Sequence, residues 1–323
     1  MKPANNADDF SPLGEYDGLA LAVHRSLSSF ELADLLGHKG QPWMAHLEDF
    51  RRQGGEEAPG VRDGLAWRFY LALDDGKPVA NVCTWEGGGA GLLGHVFTRA
   101  SHRRRGIARA LFGALLADCG GRGVRCLQLN VEPDSHQEAF YGKMGFRSVP
   151  GLAGAMVWGT VPPSCGEAHR WRVRGFEWGD WPRLNLFCLP PQAPAGFAWR
   201  GLGMDRPGSL EHPLLAKLFA PSWDVARHRI AVLDGGPLAT GLPCGVASLM
   251  PGEGPGVEIF DLIVAPSVGT MAALSLAKAV LPVALDRVRW EVSPEMGLPV
   301  SAAQLGFRRP ERSRRDGTGS ADA

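Results

Sequence analysis

The sequence of 323 residues has no net charge, with Lys and Arg numbering 34 and Asp and Glu numbering 34. A chain without a global field has no long-range pull toward nucleic acid or an anionic membrane, so any anion site must be local. Lysine is scarce, at six of the 34 basic residues, which leaves 28 arginines. Arginine's planar fork suits fixed two-point contacts with phosphate, though so broad a bias also fits genome composition. No run of 18 apolar residues occurs, so no membrane span is expected. Residues 1–16 lack the apolar core of a signal peptide. The six cysteines (Cys83, Cys119, Cys126, Cys165, Cys188 and Cys244) form no C-x-x-C pair and no His/Cys cluster at zinc spacing. That pattern argues against a disulfide framework and a metal site, and points to a reduced, cytoplasmic setting. A G-x-S-x-G hydrolase elbow is also missing.

What remains is an ordinary globular composition, 45% apolar and 21% charged, in a chain long enough for two domains. Gly 43 and Pro 25 predict many turns between short elements. Residues 1 to 17 read as a loose arm followed by a short apolar run, 19–23. Ser28 with Glu31 marks a capped helix ending near Gly37, and a second helix is expected after Pro42. Strands are expected at 66–73 and 79–85, joined by an Asp75-Gly76 hairpin turn, and at 92–98 after the GGGAG turn at 87–91. A helix over 107–119 ends at Gly120-Gly121, a strand covers 124–131, a helix starts near Ser135, and the last strand is 155–160. Residues 162–166 look like a boundary, dividing the chain at about 160. Five tryptophans (Trp171, Trp178, Trp181, Trp199 and Trp223) crowd the next segment and read as core more readily than as a pocket lining. The tail from about 310 is charged and small, with the composition of a disordered end.

The halves also resemble each other. LNVEP (129–133) matches WEVSP (290–294), and MGFR (144–147) matches LGFR (305–308), both at an offset of 161 residues. Upstream, GHVFT (94–98) parallels FDLIV (260–264), and 106–117 parallels 269–280. The expectation is two α/β domains of one fold side by side, 1–160 and 161–323.

The segment with the clearest chemistry is Arg103-Arg104-Arg105-Gly106-Ile107-Ala108-Arg109, set between a strand and a helix. The first amides of a helix have no internal partner and face the positive end of its dipole. Glycine lets the backbone come close to a ligand, and the arginines add forked donors. Together these suit a pyrophosphate. Gly89-Ala90-Gly91-Leu92-Leu93-Gly94 satisfies G-x-G-x-x-G, but a strand follows it instead of a helix, so it reads as a hairpin turn. His102 to Arg105 as a nucleic-acid patch lacks interleaved aromatics.

Arg103, Gly106 and Ala108 resemble motif A of the GNAT superfamily of acyl-CoA-dependent N-acyltransferases. Ala139-Phe140-Tyr141 with Gly145-Phe146 is similar to its motif B. The likeness covers about 66–158; Ala100 stands where relatives often carry proline, which affects loop stiffness. The resemblance implies two tandem GNAT-like domains, each a mixed, mostly antiparallel sheet flanked by helices. It implies acetyl-CoA as co-substrate, its diphosphate on the amides of Arg104, Arg105, Gly106, Ile107, Ala108 and Arg109. The pantetheine arm would run along 94–98, using backbone groups of Val96, Phe97 and Thr98 in a slot where that strand splays from the next. Tyr141 would protonate the leaving thiolate, or else pack its ring in a core. His95, Glu86 and Glu132 are the candidate bases for the amine, and Asn130 either contacts pantetheine or caps a turn. The second half lacks the arginine cluster and the phenol, since Pro266 and Ala302 fall opposite Arg103 and Tyr141, so it is expected to be a degenerate copy. The implied reaction is direct acetyl transfer to a primary amine of a small molecule or peptide. The alternative is a non-catalytic CoA or small-ligand sensor.

Overall fold

The computed structural model describes residues 10–24, 61–62, 64–162, 171–211, 213–214, 229–235, 241–291 and 297–307. The helices expected after Ser28 and Pro42, Trp223 and the tail from about 310 lie outside them.

Residues expected to be a loose arm instead form β1 (Phe10–Tyr16), paired antiparallel with β2 (Leu19–His24). The reason is local. Asp17 and Gly18 adopt φ of 49° and 75°, the left-handed pair that closes a two-residue hairpin. Then come β3 (Val61–Arg62), β4 (Leu65–Asp74), β5 (Lys77–Gly87) and β6 (Ala90–Thr98). Helix α1 (Ile107–Gly121) crosses over to β7 (Cys126–Asn130). Helix α2 (His136–Lys143) starts where the Ser135 hydroxyl accepts the Glu138 N–H at 3.2 Å. Strands β8 (Arg147–Ser148) and β9 (Ala155–Gly159) complete the half. The strands form one sheet in the order β1-β2-β4-β5-β6-β7-β9-β8, with β3 beside β4. Among the described strands of this sheet, only β6 and β7 run parallel.

Strand β4 shows why the sheet is covered on both faces. Tyr70 and Ala72 point to the side where α1 lays down Ile107, Leu111, Phe112, Leu115 and Cys119, a stripe at helical spacing. Trp67, Phe69 and Leu71 point to the other side and join a core that continues into the second half.

The second half opens with β10 (Trp171–Gly175), a 3-10 turn at Trp178–Asp180 and α3 (Trp181–Phe187). A further 3-10 turn, Arg200–Leu202, precedes β11 (Arg229–Gly235), β12 (Gly245–Pro251), β13 (Glu258–Val264), α4 (Thr270–Lys278) and β14 (Val288–Arg289). Strands β11, β12 and β13 are antiparallel, and β14 lies parallel to β13 after the α4 crossover. This repeats the directions of β4, β5, β6 and β7; of the paired sequence segments, 94–98 and 260–264 fall in β6 and β13, and 106–117 and 269–280 cover much of α1 and α4. The second sheet is smaller, five strands against nine. Trp178, Trp181 and Trp199 are buried, as the core reading expects.

The halves meet backbone to backbone. A Cβ on Gly87 would overlap the Gly179 carbonyl, and one on Gly179 would sit 2.7 Å from the Gly64 carbonyl. Trp181 packs on Trp85 at a ring separation of 6.0 Å. Arg183 is buried and bridges Asp180 and Asp234 at 3.2 and 3.0 Å, so its charge is compensated where water is excluded. Cys83, Cys119, Cys126 and Cys188 are buried thiols, while Cys244 is disulfide-bonded. The disulfide at Cys244 runs against the reduced setting expected from the sequence. No helix among the described residues is long and apolar enough to cross a membrane.

Candidate active site

The parallel ladder between β6 and β7 is short. It pairs Ala90, Gly91 and Leu92 with Cys126, Leu127 and Gln128, then stops, although β6 runs on to Thr98. The far half of β6 therefore lies outside the ladder to β7, and a strand edge beside an opening slot can take an extended ligand. The splay has a visible cause. The β5–β6 register shifts between Asn81 and Cys83, and His95 sits in the bulge with φ of 53°. Buried Asn81 holds it there, its Nδ2 donating to the His95 carbonyl at 2.5 Å. Val96, Phe97 and Thr98 follow along the slot edge.

At the slot's end stands the amino terminus of α1. Gly106 caps it with φ of 80°; no side chain accepts its first amides and no acidic residue lies in its first turn. An acid or a serine cap would compete for those amides; their absence leaves the N–H groups of Ile107, Ala108 and Arg109 for an anion. The loop before it is fastened on both sides. The Arg99 N–H donates to the Val79 carbonyl at 2.8 Å, Arg103 Nε to the Thr98 carbonyl at 3.0 Å, and His102 meets Asp74 at 3.1 Å. Arg105 pairs with Asp17 at 2.7 Å, and the Tyr16 hydroxyl donates to the Arg105 carbonyl at 3.1 Å. Of the expected cationic cluster, then, Arg103 and Arg105 hold the loop. Arg104 and Arg109 are exposed and make no hydrogen bond or ion pair with any described residue. These features fit a diphosphate group: bare amides, a glycine where a side chain would intrude, and uncommitted guanidinium groups.

Tyr141 lies on α2, half-buried against the rings of Phe112, Phe140 and Phe146. Burial pushes its phenol up to about 12, so it keeps its proton at neutral pH. The structure thus gives the ring a packing role and the hydroxyl a protonated state. His95 is buried, its ring edge-on to Trp85 at 5.2 Å. Asn130 ends β7 and reaches the second half, its Nδ2 donating to Ser209 Oγ at 2.9 Å and Glu211 Oε2 at 2.8 Å.

Glu86 departs from its reading as a base facing the cleft. It lies where β6 and β7 are still paired, opposite Gly91, and is buried. Its carboxylate is held by both Nη atoms of Arg122, by Thr84 Oγ1 at 2.6 Å and by Arg68 at 3.4 Å. A carboxylate so committed, in the part of the sheet where β6 and β7 are paired, is badly placed to take a proton from an incoming amine. Glu132 is exposed in the loop after β7. Sequence reasoning missed Tyr16 and Asp17 at the diphosphate loop, Asn81 behind the bulge, and Ser209 and Glu211 at the slot. Asp17-Gly18 was a readable hairpin signal, whereas nothing near Glu211 marks it as a neighbour of Asn130.

Residues 66–148 match a family model described as the acetyltransferase (GNAT) domain. The matched stretch spans nearly all of β4 to β8 and contains both the slot and the capless helix. No curated protein matches the chain. Among solved structures it is similar to an acetyltransferase of the GNAT family from Staphylococcus aureus Mu50, at 13% identity over 43% of this chain and 99% of that one, with a TM-score of 0.33. An acyl-CoA N-acyltransferase from Pseudomonas aeruginosa is 17% identical over 43% and 97%, with a TM-score of 0.32. The GNAT-family N-acetyltransferase YhbS of Escherichia coli, in complex with CoA, is 15% identical over 45% and 83%, with a TM-score of 0.33.

Proposed function

We propose that the protein is an N-acetyltransferase that moves acetyl from acetyl-CoA directly to a primary amine of a small molecule or peptide. The observation that carries this is the continuity of the site: a splayed strand edge along 93–98 leads to a helix start with no cap and no acid. The diphosphate would rest on the amides of Arg104 to Arg109 and the pantetheine along Val96, Phe97 and Thr98. The amine nitrogen attacks the thioester carbon, the C–N bond forms, and the C–S bond breaks as the thiolate leaves. A backbone N–H on the far half of β6 supplies a donor for the developing oxyanion. Tyr141 hands its proton to the thiolate, and its protonated phenol supports that role. The ammonium must first lose a proton; His95 is the nearest titratable group on the slot strand, and Asn130 fixes the slot's other wall. In this reading the second half is a degenerate copy of the first, without an arginine cluster at its own helix start, and it binds no acetyl-CoA.

Calorimetric titration of CoA tests the site. Wild type should take up one CoA per chain, and saturation at 100 times Kd should add about 2.7 kcal/mol of stability. Gly106→Asp should bind none, because it places a carboxylate beside the diphosphate. Equal binding by the variant refutes the site. Thiol release with a panel of amines separates turnover from the sensor alternative.

A further inference from the structure

The second half does more than cover the sheet. The bulge at His95 breaks the alternation of β6, so that Gly94 and the His95 ring both lie against Trp85, on the face shared with the second half. Asn130 of β7 points to the same face. There the segment Ser209–Glu211 closes over the slot. It is pinned from beneath by Asn185 of α3, whose Oδ1 accepts the Leu210 N–H and the Ser209 hydroxyl, and the Glu211 N–H donates to Ser209 Oγ at 3.2 Å. One oxygen of Glu211 is bonded to Asn130; the other lies 4.0 Å from where a Cβ on Gly94 would stand. Beside Asn130, Gln128 is buried, with Nε2 donating to Asn130 Oδ1 at 3.5 Å and with no hydrogen-bond partner for its Oε1 among the described residues.

Two acceptors stand on this face, the second Glu211 oxygen near the Trp85 ring and the buried Gln128 amide oxygen by Asn130, while the Asn185 Nδ2 donor lies buried beneath the segment. An alkylammonium is the complementary ligand, since it carries three donors and no acceptor and is drawn to an indole ring. A second carboxylate on the ligand would face Glu211 and be repelled. We propose that Glu211, supplied by the second half, is the residue that recognises the acceptor's ammonium group. The acceptor class is then a cationic amine with an apolar body and no carboxylate next to the amine. This rests on the acetyltransferase reading and assigns the acceptor end of that slot to the junction between the halves.

Phenethylamine and L-phenylalanine share a skeleton and differ by one carboxylate, so they are the probes. Thiol release at saturating acetyl-CoA should favour phenethylamine at least ten-fold in kcat/KM. Glu211→Gln should raise its KM at least ten-fold, leave CoA affinity and Tm unchanged, and abolish the preference. Glu211→Asp, which keeps the charge, should recover much of it; a merely structural contact with Asn130 would not select for charge. Calorimetry with phenethylamine on the protein alone and on the CoA-saturated protein scores the amine site independently of turnover. An unchanged KM or amine affinity in Glu211→Gln, or no phenethylamine binding by wild type, overturns the inference even where CoA binds normally. Loss of CoA binding by wild type would instead overturn the acetyltransferase reading.

Discussion

Gly106 offers a test whose size follows from the structure. Its φ of 80° lies in the left-handed region, and an added Cβ would overlap the Tyr16 hydroxyl. Gly106→Ala therefore meets two separate costs. Placing an L-residue in that conformation costs about 1–2 kcal/mol. Tyr16 must also swing away and lose its bond to the Arg105 carbonyl, a further loss of about 1 kcal/mol. The sum is about 2–3 kcal/mol. At roughly 2–4 °C per kcal/mol for a chain of domain size, Tm should fall by about 4–12 °C.

A double-mutant cycle separates the two costs. In a Tyr16→Phe background the hydroxyl is gone, and the nearest remaining ring atom, Cζ, lies 3.4 Å from the new Cβ. There Gly106→Ala should cost only the backbone share, so the coupling is about 1 kcal/mol. The assay is urea unfolding of the four proteins by fluorescence and circular dichroism. If Gly106→Ala costs the same in both backgrounds, the hairpin tip does not rest on the diphosphate loop. If it costs nothing in either, Gly106 is not held at positive φ and the geometry of the anion site is wrong.

Tyr141→Phe removes only the hydroxyl and keeps the aromatic packing, so kcat should fall roughly 100-fold while CoA affinity by calorimetry stays unchanged; unaltered turnover demotes the phenol to packing. Arg122→Ala leaves the Glu86 carboxylate buried with Arg68 as its remaining cation and should cost about 3 kcal/mol in urea unfolding; a loss under 1 kcal/mol would show that water reaches Glu86 and removes its need for a partner. Asp261 has its carboxyl raised to about 6 by burial, against the lowering effect of the Gly201 and Arg200 amides. Because the folded state binds this proton more tightly than the unfolded chain, its contribution is fully present below about pH 4 and is lost as pH rises through 6, about 3 kcal/mol in all. The stability difference between wild type and Asp261→Asn should therefore shift against wild type from pH 4 to 7, and a flat difference refutes the burial argument.

The sequence made some parts of this molecule readable and hid others, for physical reasons. Strand β4 was legible because apolar residues on both its faces leave no ambiguity, and α2 because Ser135 has a simple capping partner three residues on. The diphosphate loop was legible because a glycine between arginines and a helix start is a local pattern. Strand β1 was missed because its polar composition outweighed the Asp17-Gly18 turn signal. Glu86 was misread because sequence position says nothing about which end of a paired strand faces the slot; Arg122, 36 residues away, decides that. Neither Glu211 nor Asn185 could be found at all. Glu211 meets Asn130 across 81 residues, Asn185 meets Leu210 across 25, and the first contact depends on the two sheets packing as they do.

That packing also explains why the second half cannot be a detachable appendage. Trp67, Phe69, Leu71 and Trp85 form a continuous apolar face on the first sheet, and in this chain α3 and the Trp178–Asp180 turn lie over it. Left bare, such a face would expose side chains whose burial is worth about 1.5–3 kcal/mol each. The contact cannot be loosened gradually either, since Gly87 and Gly179 bring the two backbones together with no side chains between them. The demands of stability therefore fix α3 against the sheet, α3 carries Asn185, and Asn185 holds the segment that ends in Glu211. A carboxylate is placed at the slot by the same contacts that keep the core dry, which ties acceptor recognition to the integrity of the junction.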